Sequence, residues 1–307
     1  MKGTVFKSTG SHYAVRLENG DDIRCSIKGK LRLAGIKTTN PVAVGDRVEV
    51  ERGNEREGVI ARVLDRDNYI IRKATNLSRE AHVLAANIDR AIIVATIRYP
   101  ETSTVFIDRF LASAEAYGIP PAIIINKIDL LDDEETLLSR ALAAIYRAVG
   151  YPVIFASALT GQGMDEVAAL LAGKVSALAG LSGAGKSTLI NRVEPGLHLR
   201  TGDLSAAHES GRHTTTFAEM FPLAAGGFIV DTPGIRAFGL VRLKREEISH
   251  YFPEIFRVAD QCRYYNCTHV HEPGCAVQQA VEAGTISESR YASYVDMFEE
   301  QDDKYRR

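Results

Sequence analysis

The sequence predicts an α/β core built on a doubly wound sheet, preceded by an OB-type β-barrel and followed by a mainly helical zinc-binding domain. Three observations predict it. Gly180-Leu181-Ser182-Gly183-Ala184-Gly185-Lys186-Ser187-Thr188 fits the phosphate-loop pattern G-x-x-x-x-G-K-[ST]. Short apolar runs of buried parallel-strand type lie around it, and three of them end directly at a motif, where a doubly wound sheet places its ligand. Three of the four cysteines fall between 262 and 275. The expected division is 1–71 for the barrel, 72–243 for the core and 244–307 for the zinc-binding domain.

The barrel is read from five runs of strand length and partial alternation: Gly3–Ser8, His12–Leu17, Asp22–Ile27, Asp46–Val50 and Gly58–Val63, punctuated by Gly, Asn and Asp. Five such strands suit a small OB-type barrel. Residues 1–75 hold fifteen Lys and Arg against ten Asp and Glu, a balance of +5, whereas the whole chain carries −2. That local excess of positive charge suits a face that contacts RNA, with solvated basic residues on a plain barrel as the alternative.

In the core, Asp89–Ala95, Pro121–Ile125, Pro152–Ala156 and Lys174–Ala179 are the apolar runs, and Gly227–Val230 supplies a further strand. Helices are expected over Asp132–Val149 and Met164–Ala172. In the first, Leu137, Leu138, Leu142, Ile145 and Val149 recur at helical spacing, and Asp132-Asp133-Glu134-Glu135 occupies the N-terminal turn that favours negative charge. Gly161-Gln162-Gly163 reads as turn material before the second helix.

Each motif of the core has a physical reason. Glycines of the phosphate loop let successive backbone N–H groups point at a β-phosphate, and the helix that follows aims its positive dipole end at the same anion. Lys186 is placed to neutralise β- and γ-phosphate oxygens, and Ser187 to bind Mg²⁺. Asp231-Thr232-Pro233-Gly234 follows a strand, which suits Asp231 for the magnesium and the Gly234 N–H for a γ-phosphate. Asn126-Lys127-Ile128-Asp129 is a guanine reader: the Asp129 carboxylate accepts from N1–H and the exocyclic amine, which adenine cannot match. A mismatch leaves a carboxylate unpaired at roughly 1–3 kcal/mol or more, so GTP is preferred over ATP. Ser157-Ala158-Leu159 completes the set, with Ser157 and Ala158 beside the base.

The order of these parts is unusual. The base reader precedes the phosphate loop, the reverse of ordinary GTPases, and the remaining motifs follow the same rotated order. The core is therefore expected to be circularly permuted, its chain running from the D-x-x-G switch through Ile235 to Leu243 into the last domain. Ile235 occupies the position where many GTPases carry the Gln that orients the attacking water. His213, just before Thr214-Thr215-Thr216, is the candidate to replace it, since a neutral imidazole accepts a hydrogen bond from water. Thr215 is the expected magnesium ligand among the threonines, with Thr214 next.

The last domain holds Cys262, Cys267, His269 and Cys275, three thiolates and an imidazole suited to a closed tetrahedral zinc site of structural type. His271 is an alternative to His269. Four cysteines are too few for a disulfide framework. Residues 244–307 carry eight Lys and Arg against twelve Asp and Glu, so no strongly basic arm is present. The first twenty residues lack the continuous apolar core of a signal peptide, and no run approaches a membrane span, so a cytoplasmic, membrane-free protein is expected.

Barrel, permuted GTPase and Cys-x₄-Cys-x-His-x₅-Cys together resemble the bacterial small-ribosomal-subunit-dependent GTPase A family, a set of ribosome biogenesis factors. Gly211-Arg212-His213-Thr214-Thr215-Thr216 resembles that family's switch I segment, and the resemblance covers essentially the whole chain. It implies GTP hydrolysis stimulated by the 30S subunit, contact with 16S rRNA, late subunit maturation and release of other assembly factors, with His213 in the catalytic role. GTP as substrate, Mg²⁺ and one Zn²⁺ per chain are the expected ligands, on a protein expected to be a monomer. The alternative is a GTP-gated module that binds another structured RNA and hydrolyses slowly.

Overall fold

The structure, a computed structural model, describes residues 1–9, 12–27, 41–53, 56–73, 81–199, 219–231 and 244–303. At the N-terminus, β1 (Lys2–Ser8), β2 (Tyr13–Leu17), β3 (Asp22–Ile27), β4 (Arg47–Arg52) and β5 (Glu57–Val63) follow the expected strands closely. Alternation drives them: in β2, Tyr13, Val15 and Leu17 are buried while Ala14 and Arg16 are half-exposed. Strand β1 pairs with both β2 and β4, closing a barrel in the order β1-β2-β3-β5-β4 around Val5, Val15, Ile23 and Ile60.

A hairpin of β6 (Tyr69–Lys73) and β7 (Ala81–Ala86) follows the barrel and was not anticipated from the sequence. Its Ile70 and Ala85 join the core cluster of the next unit, together with Val44 of the barrel. The expected division at 71/72 falls inside β6.

The core sheet is parallel in the order β10-β9-β8-β11-β13, built from β8 (Arg90–Ala95), β9 (Pro121–Ile125), β10 (Val153–Phe155), β11 (Lys174–Ala179) and β13 (Gly227–Asp231). β12 (Glu219–Pro222) lies antiparallel to β13 at the edge. Helices α1 (Thr104–Ala116) and α2 (Asp133–Val149) cover one face; α3 (Met164–Leu171) and α4 (Lys186–Val193) cover the other. The strands are buried on both sides: Ile93 and Ile123 pack with Phe110 and Tyr146, whereas Ile92 and Ile124 pack with Val167 and Leu189. One backbone pair, Lys7 with Glu219, joins the barrel to the edge strand.

Helix α2 begins as its sequence suggests, with Asp132 as the N-cap accepting from the Glu135 N–H, and the Asp132 N–H donating in return to the Glu135 carboxylate. Its buried stripe follows only part of the apolar recurrence read in the sequence: Val149 is buried and Leu142 packs half-buried against the core. Ser139, Ala143, Tyr146 and Val149 face inward, while Leu137 and Leu138 are 65% and 58% exposed. Tyr146 takes one of the inward places: its ring packs in the core and its hydroxyl donates to Asp108 at 2.8 Å.

Beyond residue 243 come a 3₁₀ segment at Arg245–Tyr251 and helices α5 (Pro253–Ala259), α6 (Ala276–Glu282) and α7 (Glu288–Asp303). Their core of Ile248, Phe252, Ile255, Val277 and Tyr294 includes Ala112 of α1, so α1 is shared between two units. Arg290 on α7 is 1% exposed and lies between two carboxylates, donating to Asp108 at 2.8 Å and to Glu254 at 2.6 and 3.2 Å. Burial opposes its charge, but Asp108 and Glu254 more than offset this and hold the guanidinium firmly protonated.

Candidate functional site

The phosphate loop lies between β11 and α4, and its glycines are there for space. Gly180 has φ 144°, and a Cβ on it would lie 2.4 Å from the Val94 carbonyl oxygen. Gly185, the residue before α4, has φ 92°, and a Cβ there would meet Asn126 Nδ2 at 2.4 Å. Such approaches exclude any side chain. Lys186 and Ser187 are buried on the first turn of α4, while Ser182, Gly183 and Thr188 are exposed. The Lys186 ammonium donates to the carbonyls of Gly180 and Leu181 at 2.9 and 2.8 Å, arching back over the loop it belongs to.

The base-reading loop leaves the end of β9, two strands away, and touches the phosphate loop directly. Asn126, 2% exposed, donates from Nδ2 to the Ala184 carbonyl at 2.8 Å and accepts from the Ala158 N–H at 3.3 Å. One side chain thus ties together three separated sequence motifs. The hydroxyl of Ser157 donates to Asp129 Oδ1 and accepts the Thr160 N–H at 3.0 Å. This fixes the carboxylate while leaving Asp129 exposed. Gly163 enters α3 with φ 71° beside the Phe155 carbonyl, as the turn reading of Gly161-Gln162-Gly163 requires.

The backbone of Asp231 ends β13, which pairs with β11, the strand that leads into the phosphate loop. His213, Thr214, Thr215, Thr216, Gly234 and Ile235 lie outside the described residues. A loop that the sequence did not single out also borders the site. Between β8 and α1, the Tyr99 carbonyl accepts from the Lys127 ammonium, and Pro100 lies beside Gly183 of the phosphate loop. Its sequence signal is only a proline and neighbouring polar residues, which read as a turn.

The second site is in the last domain. Ligand atoms of Cys262, Cys267, His269 and Cys275 lie within 4.8 Å of one another. His269 Nδ1 is 3.5 Å from Cys262 Sγ and 3.6 Å from Cys275 Sγ, and those sulfurs are 3.9 Å apart. Tetrahedral bonds of about 2.3 Å to sulfur and about 2.0 Å to nitrogen require separations of about 3.8 and 3.5 Å, so the cluster could hold zinc. His271 is exposed, whereas His269 is buried.

Burial lowers the pKa of His269, keeping its imidazole neutral, and pushes the Cys267 thiol up to about 12, so a thiolate there calls for a cation. The loop is held by its surroundings: Tyr291 and Tyr294 donate to the carbonyls of His269 and Thr268 at 2.7 and 2.6 Å. Burial raises Glu272, but hydrogen bonds from the Thr268 hydroxyl and N–H and the His271 N–H outweigh it and bring the carboxyl down to about 2.

A doubly wound sheet with its base reader ahead of its phosphate loop, and the two joined through Asn126, defines a circularly permuted GTPase. Family models agree along most of the chain: the RsgA N-terminal domain matches residues 2–60 and the RsgA GTPase residues 63–241. The chain belongs to the RsgA GTPase family. It is 53% identical over 307 residues to the small ribosomal subunit biogenesis GTPase RsgA of Bacteroides fragilis, covering all of this chain and 99% of that relative. The protein of the same name from Phocaeicola vulgatus is 54% identical over the same span and coverage. Among solved structures, YjeQ from Thermotoga maritima is 40% identical with a TM-score of 0.81, covering 97% of each chain. YloQ, described as a circularly permuted GTPase, is 30% identical with a TM-score of 0.78, covering 99% of this chain and 95% of that one.

Proposed function

We propose that this chain hydrolyses GTP under stimulation by the small ribosomal subunit, acting in the cytoplasm late in that subunit's maturation. The observation that carries the reading is the Asn126 brace between base reader and phosphate loop, on a chain that matches relatives named as small ribosomal subunit biogenesis GTPases from end to end. In this reading Asn126, Lys127, Asp129, Ser157 and Ala158 hold guanine, the loop Gly180–Thr188 cradles the phosphates, and Lys186 neutralises β- and γ-oxygens. Ser187, Thr215 and Asp231 would hold Mg²⁺, which would supply positive charge to offset that of the phosphates. The Gly234 N–H faces the γ-phosphate, and His213 orients the attacking water in place of the Gln that Ile235 lacks.

Cys262, Cys267, His269 and Cys275 hold one structural zinc; the separations above suit it, and four protein ligands leave no position for water. The barrel, with its local positive balance, contacts 16S rRNA, and hydrolysis accompanies release of other assembly factors from a monomeric protein. The test is GTP turnover with and without purified 30S subunits. Stimulation of at least about tenfold is expected, with His213→Ala binding GTP normally but losing at least about tenfold of that stimulated rate. Absence of stimulation by any ribosomal particle would favour the GTP-gated RNA-binding module instead.

A further inference from the structure

We propose that the loop between β8 and α1, clasped by Thr96 and Thr102, is a positioning element of the nucleotide site that fixes the Lys127 side chain along the phosphate loop. The inference rests on the GTP reading above. Thr96 is 1% exposed and Thr102 7%. The Thr96 N–H donates to Thr102 Oγ1 at 3.1 Å, the Thr102 N–H returns a bond to the Thr96 carbonyl at 2.9 Å, and the Thr96 hydroxyl donates to the Pro100 carbonyl. Three internal bonds therefore close the loop on itself. Within it Tyr99 is held at φ 53°, a left-handed conformation uncommon for an aromatic residue.

The closed loop meets both halves of the site. The Tyr99 carbonyl accepts from the Lys127 ammonium, and the Pro100 ring stands 3.5 Å from the Cβ position of Gly183. Lys127 Cε lies 3.9 Å from the Cβ position of Gly185. Its stem thus runs from the base reader across the phosphate loop to the clasp. Arg98 adds an outer tie, lying 4.6 Å over the Tyr99 ring and donating to Glu135 of α2 at 2.9 Å. Holding a long, flexible side chain in place before the nucleotide arrives removes an ordering cost from binding. Asp129, not Lys127, reads the exocyclic amine. Loosening the clasp therefore weakens guanosine and inosine nucleotides alike.

Thr102→Val keeps the side-chain shape and removes the acceptor of the buried Thr96 N–H. GDP and IDP affinities measured by titration should both fall about tenfold, their ratio unchanged, with kcat at saturating GTP within about twofold of wild type. Thr102→Ser, which restores the hydroxyl, should restore both affinities. Should Thr102→Val not fold, Thr96→Val removes the hydroxyl that holds the Pro100 carbonyl and carries the same expectation. Unchanged GDP affinity in a folded variant overturns the inference, and so does a changed GDP-to-IDP ratio, which would route the effect through Asp129. Failure of the wild type to bind any guanine nucleotide would overturn the GTP reading first and this inference with it.

Discussion

The two domains flanking the GTPase core are attached to it by different physics. The barrel is joined largely through backbone. The Ala86 N–H donates to the Val44 carbonyl at 2.9 Å, Val44 bridges Ala85 and Lys7 pairs with Glu219, while the Asn87 side-chain amide adds one bond to the Gly45 carbonyl at 2.9 Å. It meets the β12–β13 edge, whose last residue is Asp231. The C-terminal domain is joined through side chains, by α7 packed on α1 and Arg290 buried between Asp108 and Glu254. It meets α1 and α2, the helices that follow the clasped loop and the base reader. A backbone junction tolerates most side-chain changes and no displacement, whereas a buried charge junction depends on a few side chains that a single substitution can unbalance. The comparison teaches that the barrel is built as a backbone extension of the core, and the C-terminal domain as a unit docked on it through side chains.

The largest expected effect comes from the charge junction. Arg290→Ala leaves two buried carboxylates facing each other, and loss of about 3–5 kcal/mol is expected in denaturant unfolding, with the C-terminal domain becoming protease-sensitive first. A loss below about 1 kcal/mol would mean the docking is made by apolar packing alone. Next is Gly45→Ala. The residue has φ 85° and its new Cβ would lie 1.9 Å from the Ala86 carbonyl oxygen, so about 2–3 kcal/mol should be lost. Wild-type stability there would show that the two backbones separate freely. Lys7→Ala should have the smallest effect, because its ion pair with Glu219 is exposed: between zero and about 1 kcal/mol. A larger cost would make that side-chain pair a true part of the backbone junction.

What the sequence made legible divides along the same line. Barrel strands, core strands and the capped start of α2 are periodic or punctuated, and the observed elements fall within a residue or two of expectation. The phosphate and base motifs are local spacings, and the Cys and His cluster combines local spacing with rare residue types. Arg290 and Asp108 were not legible, because a charged residue on a helix reads as solvated and only the meeting of α1 with α7, far apart in sequence, buries both. Leu137 and Leu138 misled for the reverse reason: of the apolar residues at helical spacing, Val149 is buried and Leu142 packs against the core, but these two stay exposed while Tyr146 takes an inward place. The clasp of Thr96 and Thr102 joins small polar residues in a turn, a pattern that many unremarkable loops share.

The central claim, guanine-specific hydrolysis triggered by the small subunit, is tested most directly by changing the base that drives it. Asp129→Asn exchanges a carboxylate that pairs with the exocyclic amine for an amide that pairs with a carbonyl in its place, so xanthosine triphosphate becomes the better substrate. With 30S subunits present, the variant should hydrolyse xanthosine triphosphate at a stimulated rate within about tenfold of wild type on GTP, and GTP itself poorly. Unchanged subunit-stimulated hydrolysis of GTP by Asp129→Asn would contradict the account.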